Sequence, residues 1–213
     1  MTMDRGRLAG ASLLIGSVLA IAGYAAANAF AGTSGVARFT NPLFVPFYSV
    51  ALAGNLFLVL GLPAILVAHG KRAHRLTTLG YAGTLLTIVM LDIGEGTTEA
   101  FIKPYLAAHG GIPSVGPAGF EAFLDVGMVF ILIGLVSLGV AVIRARVFPR
   151  WVGVLLILAV PLGVVPLPGP LFQLGDYLAF VALGVIGGVV ALGHRPRPGA
   201  VTEGLAPSPQ AGA

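Results

Sequence analysis

The chain has 213 residues, of which 9% are Asp, Glu, Lys or Arg and 57% are apolar. A soluble domain carries about 25% charged residues, so there is too little polar surface here to coat a free globule. The formal charge of +4 would suit nucleic acid, but the bases fall between apolar segments, where they set membrane topology instead. The composition defines an integral membrane protein with no nucleic-acid partner. The absence of cysteine removes disulfides, thiolate metal sites and cysteine nucleophiles.

A spanning helix needs about 20 mainly apolar residues, and six segments qualify in chain order. They cover residues 8–30, 43–68, 76–93, 122–143, 151–167 and 171–193. Residues 1–7 form a short segment before the first. Arg5 and Arg7 with Ala29-Phe30-Ala31 also match a secretory signal and its cleavage site. The first apolar run is longer than a signal's core, and the segment is read as a span. The fifth segment is the shortest and carries Pro161. It exits through Pro166-Leu167-Pro168-Gly169-Pro170, a strong breaker, so a re-entrant segment is its alternative. Residues 194–213 are rich in Pro, Gly and Ala and read as a disordered tail.

The bases orient the bundle. Arg5, Arg7, Lys71, Arg72, Arg75, Arg144, Arg146, Arg150, Arg195 and Arg197 fall on one side of a six-span arrangement, with only Arg38 and Lys103 on the other. The positive-inside rule then places both termini in the cytoplasm. The fold expected is an all-α polytopic transmembrane bundle of six helices.

The acids follow a second rule, that of height. At 1.5 Å per residue, Asp92, Glu95, Asp125 and Asp176 all lie roughly 24 to 28 Å above the inner boundary. Asn55 is deeper, at roughly 20 Å, and Glu99 and Glu121 are slightly above the acids. Asp92, Glu95 and Glu99 have i, i+3, i+7 spacing, and Glu121 and Asp125 have i, i+4 spacing. Each set shares one helix face. Charges inside a bilayer are costly and often mark an ion or proton path. These seven residues are the candidate site for a proton, cation or cationic solute. Carboxylate oxygens also suit hard metal ions, with His109 as a nitrogen donor from the loop. The competing reading leaves the acids hydrated or paired with Arg38 and Lys103, and Gly94 and Gly96 then end the third helix. His69, His74 and His194 flank spans on the basic side and read as interfacial residues.

Ser12, Gly16 and Ala20, with Gly184 and Gly188, form small-residue rows that let helices approach closely. They serve packing within the chain, or contact with a second copy or a membrane partner. That second use carries the alternative function, a non-catalytic accessory subunit. No Walker, HExxH or GxSxG motif is present, so the sequence leans away from an enzyme and points to no cofactor.

The sequence resembles small, uncharacterised six-span membrane proteins of bacteria with GC-rich genomes. The likeness rests on Arg7-Leu8-Ala9-Gly10, Leu62-Pro63-Ala64, and Glu99-Ala100-Phe101 with Pro104. The turn Arg146-Val147-Phe148-Pro149-Arg150-Trp151-Val152-Gly153 adds to it. The resemblance implies a six-helix bundle in the bacterial cytoplasmic membrane, and it implies no activity or site residue.

Overall fold

The computed structural model describes residues 5–32, 35–70, 75–113, 116–117, 119–165 and 173–193. Every regular element among them is helical. Helix α1 is Arg5–Ala31 and α2 is the short Ala37–Thr40. Helix α3 runs Phe44–His69 through Pro63, and α4 runs Arg75–Ala108. Helices α5, α6 and α7 are Phe120–Ala145, Arg150–Val164 and Leu174–Ala191. The expected tail at 194–213 and the Pro-rich exit at 166–170 lie outside the described residues, as do His74 and His194.

Five helices (α1, α3, α4, α5 and α7) are long and apolar enough to cross a membrane. Helix α6, expected to reach 167, stops at Val164 after 15 residues. It is roughly 22 Å long, against a hydrocarbon core of about 30 Å. Pro161 sits in its last turn and removes one donor from the ladder.

The surface is inverted relative to a soluble bundle. On α1 the buried positions include Gly10, Gly16, Ala20 and Gly23, while Leu8, Leu14, Ile15 and Val18 are exposed. On α5, Gly127, Gly134 and Gly139 are buried, and Val129, Leu132 and Ile133 are exposed. Small residues inside and large apolar residues outside are the pattern of helices packed in lipid.

Neighbours run antiparallel and form a ring. Helix α1 lies between α3 and α7; α6 joins α7 to α5; α5 packs on α4, and the upper part of α4 returns to α3. Glycines let the backbones meet at these joints. A Cβ on Gly10 would lie 2.8 Å from the Gly187 carbonyl oxygen, and one on Gly83 would lie 2.6 Å from the Gly134 Cα. The small-residue rows are therefore spent largely inside the chain. Gly16 meets Gly54, Gly184 meets Ser17, and the Ser12 hydroxyl donates to the Phe57 carbonyl at 2.8 Å. Gly188 alone of those rows' glycines has open space beside it.

Helix α4 departs most from expectation. The third span was expected to end near 93, with residues 95–108 able to continue as a helix above the membrane or, in the competing reading of the acids, with Gly94 and Gly96 as breakers. The helix does continue to Ala108, and the departure is that it switches to π-helical hydrogen bonding over Ile88–Glu95 and Thr98–Ile102. Thr97 and Thr98 donate to the carbonyls of Ile93 and Gly94. Such π segments are uncommon and concentrate at functional sites.

The end bearing the bases buries an aromatic turn. Arg5, Arg75, Arg144, Arg146 and Arg150 are exposed around it. Beneath them Phe148 is 4% exposed and lies 5.7 Å from the ring of His69. His69 is itself buried, with Nδ1 donating to the Ile65 carbonyl at 2.8 Å. The interfacial position expected for His69 is thus corrected: an adjacent aromatic turn covers it.

Candidate functional site: an acidic cavity inside the helix ring

The opposite end opens into a cavity of about 520 Å³ lined from every long helix of the ring and from α6. The π-helical part of α4 supplies Asp92, Glu95 and Glu99, and α7 supplies Asp176 from its first turn. The predicted face at 92, 95 and 99 therefore does line one space. Asp176 interacts electrostatically with both Asp92 and Glu95. None of these three carboxylates forms a hydrogen bond or ion pair with another described residue.

Glu99 differs. It pairs with Lys103 one turn later, within the same helix. This is the pairing that the competing reading of the acids anticipated, and it holds for this residue. Lys103 and Arg38 also line the cavity mouth, 5.7 and 5.4 Å from the Phe39 ring centroid. The four acids outnumber these two bases, so the lining carries a formal excess of two negative charges.

Asn55 acts behind the wall rather than in it. It is fully buried, and its Nδ2 donates to the Tyr24 hydroxyl at 2.9 Å and to the Asp92 carbonyl at 3.3 Å. One amide thus ties α1, α3 and the π segment of α4 together. The amide holds the π segment at Asp92, a residue that also bears a site carboxylate.

Glu121 and Asp125 do not join the cluster. Both are exposed on α5 and neither lines the cavity. Their i, i+4 spacing gives them a common face, but that face turns away from the ring. His109 is also outside: it is exposed, its Nδ1 donates to the Tyr105 carbonyl at 2.9 Å, and its ring stacks on Tyr105. Among the described residues, no three His, Asp or Glu side chains converge closely enough to hold a metal ion.

Several lining residues had no sequence signal. Tyr24 stands edge-on to Tyr48 at 5.1 Å and is stacked with Phe180 at 6.1 Å. Gln173 accepts from Asn28 at 2.7 Å and from the Tyr177 hydroxyl at 3.2 Å, linking α1 to the start of α7. Thr84 is 1% exposed and its hydroxyl has no partner. Inside apolar helices these residues read as ordinary span positions.

No family model, curated protein or solved structure matches this chain. The class that the fold and site define is an all-α chain with the helices of a multi-pass membrane protein and an acidic cavity within the ring.

Proposed function

We propose that this protein binds or transports a positively charged ligand (a proton, a cation or a cationic solute) in the acidic cavity. It does so as a six-helix protein of the bacterial cytoplasmic membrane, with both termini in the cytoplasm and the cavity opening outward. The carrying observation is that Asp92, Glu95 and Asp176, from two helices, line one cavity without forming an ion pair among the described residues, and that with Glu99 they outnumber the two bases of the lining. Carboxylates so placed are costly in an apolar bundle, and a cationic ligand offsets that cost. The ten-to-two split of bases supports the orientation, and ten Arg to two Lys, a ratio that suits GC-rich coding, supports the bacterial membrane. Helix α6, though short, completes the even number of crossings that this orientation needs.

The seven candidates are thereby sorted. Asp92, Glu95 and Asp176 face the ligand; Glu99 is held by Lys103; Asn55 positions the backbone beneath Asp92. Glu121 and Asp125 serve as controls. With the full chain reconstituted in vesicles, Asp92→Asn and Asp176→Asn should each weaken saturable cation binding about tenfold, or ~1.4 kcal/mol. Asp125→Asn should leave it unchanged. Binding that survives both cavity substitutions, or that falls equally in Asp125→Asn, contradicts the proposal.

A further inference from the structure

Resting on the cation-binding reading above, we infer that the ligand is an organic cation, a substituted ammonium with an apolar body, rather than a bare metal ion. Four features of the cavity carry this. Its volume of about 520 Å³ falls in the range of small-molecule sites, about 300–1,000 Å³, and far exceeds what one ion fills. Its carboxylates do not gather into a chelating set among the described residues, so they offer a diffuse negative field rather than a coordination shell.

The third feature is the aromatic wall. Tyr24, Tyr48 and Phe180 form one contiguous group from three helices, and all three line the cavity with the acids. Aromatic rings beside carboxylates attract alkylated ammonium groups, and these three, 3 to 7% exposed, would meet a ligand where they border the cavity. At the mouth, the protein's own Lys103 and Arg38 already lie within cation–π range of Phe39. The deeper Tyr24, Tyr48 and Phe180 have no such partner among the described residues.

The fourth is depth. Thr84 lines the cavity, is 1% exposed, and has a hydroxyl without a hydrogen-bond partner. That hydroxyl is closed to a water-sized probe, so Thr84 marks how far down the lining extends rather than a contact for the ligand. Thr84 precedes Asp92 by eight residues, roughly 12 Å along the helix. An extended molecule fills that depth of lining, and a single ion does not. The ammonium would lie between Asp92, Asp176 and the aromatic wall, with the body of the ligand running toward Leu135 and Thr84.

The test is calorimetric titration of the full chain in lipid nanodiscs with benzyltrimethylammonium, and separately with sodium, magnesium and manganese ions. Benzyltrimethylammonium should bind saturably. Asp92→Asn should weaken it about tenfold, Phe180→Leu about fivefold, and Phe180→Tyr less than about twofold. Tyr48→Leu carries the same expectation should Phe180→Leu fail to fold. Asp92-dependent binding of an inorganic ion without benzyltrimethylammonium binding overturns the inference and leaves cation binding standing. Binding of neither overturns both. Benzyltrimethylammonium binding indifferent to Asp92→Asn, or to loss of the aromatic face, also overturns the inference.

Discussion

The two ends of the bundle use charge in opposite ways. At the basic end the arginines are exposed and surround an apolar plug, in which Phe148 covers His69 and the cores of Val152 and Ile65 are fully buried. At the acidic end the carboxylates line a cavity, with Asp92 and Glu95 half-buried on a stretch of helix that abandons α geometry and Asp176 exposed at the start of α7. Charges on a rim tell a membrane protein which way to sit. Charges inside a ring carry a standing electrostatic cost and need a use. The same low count of ionisable residues therefore supports topology at one end and proposed ligand binding at the other.

That contrast can be broken from the basic side with the largest effect. Phe148→Ala removes a buried ring from the plug and should destabilise the protein by about 3–5 kcal/mol. Thermal unfolding in detergent reads this directly. Cation binding by the fraction that stays folded should be unchanged, because Phe148 does not line the cavity. A Phe148→Ala variant as stable as the parent would show that this end is not held by packing.

The acidic end should show the reverse. Asp92→Asn and Asp176→Asn weaken binding, as above, with unfolding temperature unchanged or raised, since each removes a repelling charge. The smallest effect belongs to Glu99→Gln. An intrahelical pair of this kind contributes about 0.3–0.5 kcal/mol, so binding should change by about twofold or less. A tenfold loss in Glu99→Gln would move the centre of the site outward to the Lys103 pair.

Much of this architecture was legible in the sequence, for physical reasons that can be named. A bilayer demands long apolar runs, so hydropathy located α1, α3, α5 and α7 to within a few residues. Rise per residue placed the acids at one level, and Asp92, Glu95, Glu99 and Asp176 do meet one cavity. Spacing alone could not tell which way a face turns, and Glu121 and Asp125 share a face that turns outward. Gly94 and Gly96 read as breakers because local propensity disfavours them in helices. The π-helical ladder and the Asn55 amide, a contact made 37 residues away, override that preference. Tyr24, Thr84 and Phe180 were invisible for a different reason. An aromatic or threonine in an apolar span looks the same whether it faces a neighbour, lipid or a cavity.

The most direct test of the account uses the absence of native cysteine. Gly163 lines the cavity, and a Cβ there would meet nothing within 4 Å, so Gly163→Cys adds one reporter thiol in open space. A cationic methanethiosulfonate should modify it about tenfold faster than an anionic one of similar size, with the ratio falling toward unity in Asp92→Asn/Asp176→Asn. Equal rates for the two reagents, or faster modification by the anionic one, would contradict a cation-attracting cavity.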